Sequence, residues 1–231
     1  MKTKILPTVT TTHGADWRKT IRDAMKLGLK EMAFFSTGLG KEEREEACFL
    51  LKEAKLRTPF VHLRSDMEPA EIDFLINELK AEIFNIHSEK DFSFVYNYSN
   101  YKRMIYLENS SSSPWIDEEL INYAGVCVDF SHLENERLRG SDLYEHSLLT
   151  LKKYPRGCAH LGPVKNVSYV NMENGKEYEH YDSHRVEKLS EFDYLKKYVD
   201  LIPKIAAVEV ENSLTEQLEA IEYIKKQLDF I

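Results

Sequence analysis

The sequence predicts an α/β protein folded as a (β/α)8 (TIM) barrel, a single compact domain with short loops. Three observations predict it. Eight short apolar runs, rich in Val, Ile and aromatic residues, recur along the chain. Helix-like segments separate them, and continuous apolar strands that alternate with helices imply a parallel sheet. The 231 residues divide by eight into about 29 per unit, near the minimum for one strand, one helix and two loops.

The strand-like runs occupy residues 5–11, 31–37, 58–63, 81–87, 103–109, 124–130, 156–162 and 204–210. After the first run, residues 16–27 (DWRKTIRDAMKL) read as a helix stopped by Gly28. Residues 41–55, 68–80 and 115–123 follow the same plan, and KEEREE (41–46) reads as a solvated helix face. Residues 92–103 (FSFVYNYSNYKR) interleave aromatics with Lys102 and Arg103; they are read as a helix packed on the barrel rather than a base-stacking surface. Residues 141–154 open on Ser141, a good N-cap, with Leu143, Leu148, Leu149 and Leu151 on a broad apolar face. The stretch 162–186 is the longest irregular region and is expected to be a lid or site extension. The last helix, 213–230, starts S-L-T-E, which fits a capping box. An open doubly wound sheet is the runner-up. It would carry a glycine-rich phosphate loop, and none of the nine glycines forms one. No linker divides the chain, so residues 1–231 are expected to be one domain.

Composition narrows the function classes. Hydrophobic residues make up 42% and charged residues 30%, a globular balance. Mean hydropathy is -0.47, and no apolar run approaches the roughly 18 residues of a membrane span. The net charge of -8 disfavours generic binding to nucleic acid or anionic membrane. Cys48, Cys127 and Cys158 form an odd, scattered set without a C-x-x-C, which predicts a reduced, cytoplasmic protein with no disulfide.

The chemistry gathers where the predicted strands end. His13 follows the first run, His62 ends the third and His87 the fourth. Glu108 ends the fifth, Asp129 and His132 the sixth, His160 the seventh, and Glu209 and Glu211 the eighth. Asp182 and His184 stand in the long seventh loop. In a barrel of this kind the C-terminal face carries the active site. Imidazoles and carboxylates are ligands of zinc, manganese or magnesium. Each residue alone also has a structural reading, as a hydrogen-bonded strand end. Glu209 and Glu211 share strand parity, so either can point inward. His146 reads as mid-helix and structural, His180 as exposed in the loop, and Cys127 and Cys158 as core.

The motifs LEN (107–109), DFSH (129–132), AHLG (159–162), DSH (182–184) and VEN (210–212) resemble the xylose-isomerase-like barrel superfamily, which contains endonuclease IV and sugar isomerases and epimerases. The resemblance implies Glu108, Asp129, His160 and Glu211 as the shared metal ligands. The endonuclease IV pattern adds His62, His87, His132, Asp182 and His184, giving nine ligands for a multinuclear cluster. It further implies Zn2+ or Mn2+, one to three ions, with Glu108, Glu211 and His132 catalytic and His13 on the substrate. The expected function is a metal-dependent phosphoesterase acting on a small phosphate ester or DNA. A single-metal sugar isomerase or epimerase is the alternative, and a non-catalytic metal- or sugar-binding barrel the third reading.

Overall fold

The computed structural model describes residues 3–12, 14–173 and 176–228. Eleven strands are present among them: β1 (Lys4–Leu6), β2 (Thr8–Thr10), β3 (Ala33–Phe35), β4 (Phe60–His62), β5 (Ile83–Ile86), β6 (Ile105–Glu108), β7 (Gly125–Asp129), β8 (Arg156–Leu161), β9 (Val164–Glu173), β10 (Lys176–Asp182) and β11 (Ile205–Val208). Nine of these form one parallel sheet in the order β1-β11-β8-β7-β6-β5-β4-β3-β2. Every run read as a strand contributes to it.

The first run supplies two strands because Pro7 has no N–H to give the ladder. On one side of Pro7, β1 pairs with β11; on the other, β2 pairs with β3. The sheet therefore closes on itself through this one segment. Gln217 of the last helix reinforces the seam, accepting from Thr8 N at 2.8 Å and donating to Thr8 O at 3.1 Å.

Among the described residues seven α-helices follow the strands: α1 (Trp17–Lys26), α2 (Lys41–Glu53), α3 (Pro69–Asn77), α4 (Asp117–Leu120), α5 (Phe130–Arg139), α6 (Asp142–Lys153) and α7 (Leu214–Gln227). Local chemistry sets their starts. Asp16 caps α1 and Ser141 caps α6. Ser213 and Glu216 form the expected capping box on α7. None of these helices is long and apolar enough to cross a membrane.

Alternation along each strand sorts the core into two shells. Val9, Phe34, Val61, Phe84, Val126 and Val128 face the helices. Leu6, Phe35, Phe60, Cys127, Cys158 and Ala207 make a second buried cluster inside the barrel. Gly125 has φ +144°, and a Cβ there would meet Pro155 O at 2.1 Å, so only glycine lets β7 start against that turn.

Four elements differ from the sequence expectation. Residues 92–103 are not a helix: they run irregularly, with one 3-10 turn at Ser99–Tyr101. Tyr98 and Tyr101 are buried and Tyr98 donates to the Met67 carbonyl at 2.9 Å, so tyrosine anchors hold this segment instead of backbone periodicity. The stretch 162–186 is not irregular, because β9 and β10 pair as an antiparallel hairpin. It packs on α5, a helix the motif DFSH conceals because its first turn doubles as a strand end. After the hairpin, a 3-10 segment (Leu189–Leu201) occupies the place of the seventh helix.

Candidate metal centre

The parallel register brings the strand ends to one level. Asp129 of β7 stands beside His160 of β8, and Glu108 of β6 stands beside Cys127 of β7. His62 ends β4, His87 follows β5 and Glu209 follows β11. Asn109 locks two of these ends together. Its side chain accepts from Asp129 N at 2.7 Å and donates to Asp129 O at 2.9 Å. Asp129 is also the N-cap of α5, where Oδ1 accepts from Ser131 N at 2.8 Å and His132 N at 3.0 Å. That leaves Oδ2 for the barrel mouth.

Two groups of ligand atoms result, each with its members within 4.8 Å of one another. One is Glu108, Asp129, His160 and Glu209, all buried. The other is His62, His87 and Glu108. Glu108 belongs to both, and its two oxygens divide between them. Oε2 lies 2.9 Å from His62 Nε2, and Oε1 lies 3.3 Å from His160 Nδ1. Asn85 donates to Oε2 at 2.5 Å and fixes that orientation. His62 is held from behind, its Nδ1 lying 2.8 Å from Leu63 O, the usual way an imidazole is aimed at a metal.

The donor set fits a cation. His160 Nδ1 lies 2.9 Å from Glu209 Oε2, 3.3 Å from Glu108 Oε1 and 3.7 Å from Asp129 Oδ2. Neither ring nitrogen of His160 is in hydrogen-bond geometry. A buried nitrogen among three carboxylates without an aligned hydrogen bond is packing suited to an ion. His87 Nδ1 is likewise buried without a hydrogen-bond partner.

The electrostatics agree. Burial would raise the Glu108 carboxyl, but His160, His87 and His62 outweigh it and hold it well below the ordinary range. Burial is outweighed in the same way at Asp129, by His132 and His160, and at Glu209, by His160. Burial disfavours charge on His160, yet the surrounding acids, Glu108 first, keep it protonated well above its ordinary value. His132 is pushed up to about 10, burial being offset by Asp129 and Asp182. Burial pushes His87 down, which leaves its lone pair available.

Not every expected residue joins these groups. Glu211 does not: its carboxylate accepts from Thr12 Oγ1 at 2.7 Å and Gly14 N at 3.2 Å. A Cβ at Gly14 would stand 1.9 Å from Glu211 Oε2, so that glycine is part of the seat. Glu209, the other in-phase carboxylate, takes the inward place instead. His132, Asp182 and His184 complete no third group among the described residues. His132 Nε2 and Asp182 Oδ2 face each other at 3.6 Å, and the His184 carbonyl accepts from Glu211 N at 2.6 Å. His13 lies outside the described residues. His180 is buried rather than exposed, with Nδ1 3.2 Å from Asp182 Oδ1 and its ring stacked on Tyr169. His146 is structural, Nε2 lying 3.0 Å from the Trp115 carbonyl. Sequence reasoning missed Asn85 and Asn109. Asn85 had a signal, a lone amide inside the apolar run 81–87.

No family model matches the chain, and no curated protein matches it. Solved structures do. An uncharacterised protein from Parabacteroides distasonis aligns over 97% of this chain and 98% of its own, with TM-score 0.52 and 13% identity. A xylose isomerase domain protein from Planctomyces limnophilus covers 100% of this chain and 98% of its own, with TM-score 0.50 and 11% identity. Endonuclease IV from Thermus thermophilus covers 99% and 100%, with TM-score 0.48 and 13% identity. At these identities the likeness is one of fold. The closed ring of parallel strands gives this chain a TIM-barrel fold similar to that of the Planctomyces limnophilus protein.

Proposed function

We propose that the protein is a metal-dependent hydrolase of phosphate esters whose centre would take two divalent ions, zinc or manganese, with Glu108 in the ligand set of both. The observation that carries this reading is the division of one carboxylate: Oε2 faces His62 and Oε1 faces His160. His62 and His87 would hold one ion; Asp129, His160 and Glu209 would hold the other. Paired ions supply Lewis acidity and lower the pKa of water, and they stabilise both oxygens of an in-line displacement. The chain's own residues do the rest. Asn85 holds the Glu108 carboxylate and Asn109 holds the Asp129 backbone, so little reorganisation is needed as charge develops. His132 holds a proton at Nε2, facing Asp182 at the rim, and supplies it to the departing oxygen.

A single-ion isomerase or epimerase is the second reading. It is favoured by the completeness of the Glu108, Asp129, His160 and Glu209 group on its own. Metal content decides. Elemental analysis with anomalous scattering should find two ions about 3.5–4 Å apart. One ion, held by those four residues alone, would move the assignment to the isomerase.

A further inference from the structure

A cavity of about 160 Å3 opens beside His62 and His87. Three rings frame it. His62 and His87 have centroids 5.0 Å apart, and His87 and Phe92 5.3 Å apart. Leu63 and Ile86 complete its apolar wall. Phe92 is 56% exposed although it leans on the His87 ring, an unusual place for a large apolar side chain.

Arg64 and the Ser65 carbonyl, two of the polar groups on the wall, are already engaged. Arg64 donates to Asp66 through Nε at 2.8 Å and Nη2 at 3.3 Å, and to the Thr37 carbonyl through Nη1. The Ser65 carbonyl accepts from Val95 N at 2.9 Å and Tyr98 Oη at 3.0 Å. Any hydroxyl that faced Leu63, Ile86 or the Phe92 ring would be unpaired, which is costly. A planar ring needs no such partners and gains from stacking on Phe92. At about 30 Å3 per water, the space is that of about five waters, enough for one small ring.

We infer that this cavity is the subsite for the alcohol part of the substrate and takes a single planar, uncharged ring. The substrate class is then an aryl phosphate ester, and Phe92 is the specificity-determining residue. This rests on the phosphate-ester reading of the metal centre.

The test is calorimetric binding to the zinc-loaded protein. The probes are inorganic phosphate, phenylphosphonate and 2-hydroxyethylphosphonate, of which the last two resist hydrolysis. Phenylphosphonate should bind at least about ten-fold tighter than 2-hydroxyethylphosphonate. Phe92→Ala should remove that preference and leave phosphate affinity and zinc content unchanged, while Phe92→Trp should keep it. Equal binding of the two phosphonates, or an unaltered preference in Phe92→Ala, would overturn the subsite while phosphate binding upholds the metal reading. Failure of the zinc-loaded protein to bind even phosphate would overturn the phosphate-ester reading and the subsite with it.

Discussion

Glu108 and Glu209 carry most of the argument at the scale of single residues. Glu209→Gln should lower the metal content of the purified protein by about one equivalent. Glu211→Gln should leave it unchanged, because Glu211 is occupied by Thr12 and Gly14. Elemental analysis of the two variants beside wild type checks both, and the reverse pattern would restore Glu211 as the ligand. The protonated histidines give a second expectation. Metal must displace the proton held on His160, whose value is raised. Metal affinity should therefore rise with pH for as long as His160 still carries its proton, with protons released on binding. Titration in two buffers of different ionisation enthalpy measures that release, and none at pH 7 would contradict the charge state. In the metal-free protein the same shift acts on stability. A histidine raised to about 10 contributes fully below its unfolded value of about 6.5 and is lost as pH rises towards 10. Tm of chelator-treated protein should fall across that window. At this scale the sequence was only half legible. Parity admits both Glu209 and Glu211, and only the end of β11 at Val208, with the Glu211 amide turning to His184, separates them.

At the scale of elements, α5 shows how a helix is bound to its neighbours. Glu134 is buried and accepts from Arg137 at 2.7 Å, Lys197 at 2.5 Å and Tyr198 at 2.7 Å, tying α5 to the 3-10 segment. Burial would raise its carboxyl, but these partners hold it low. Glu134→Gln should cost about 2 kcal/mol in urea unfolding, because the partners lose a buried acceptor charge. A loss below about 0.5 kcal/mol would show the network to be solvated. Some elements were hidden from sequence for definite reasons. The hairpin β9–β10 had a signal in Asn174-Gly175, a dipeptide favoured in two-residue turns, but polar residues throughout 165–185 masked the alternation. Residues 92–103 carried helix-like apolar spacing, which tyrosine hydroxyl bonds to distant carbonyls overrode.

For the whole molecule, eight repeats of strand and helix were enough to specify the closed ring, since periodicity is a property of the whole chain and survives local misreading. Charge is a whole-molecule quantity too. Two divalent ions would take the net charge from -8 to -4, and ions that bind the folded chain in preference to the unfolded one stabilise it. Zinc at a hundred times its Kd should then stabilise by about 2.7 kcal/mol per site, seen as a rise in Tm that a chelator reverses. An unchanged Tm at saturating zinc would argue against a preformed site.

The seam at Pro7 has a consequence for how the protein is made. Segment β1–β2 is synthesised well before its partner β11; the Thr3–Pro203 contact spans 200 residues. Until β11 arrives, β1 offers an unpaired edge, so nascent chains must wait with an open sheet. The arriving strand brings Glu209 with it. Ring closure and completion of the ligand set are therefore one event in time. A chain stalled short of β11 would hold neither a closed sheet nor a full set of donors, and metal capture would serve as a readout that synthesis had passed β11.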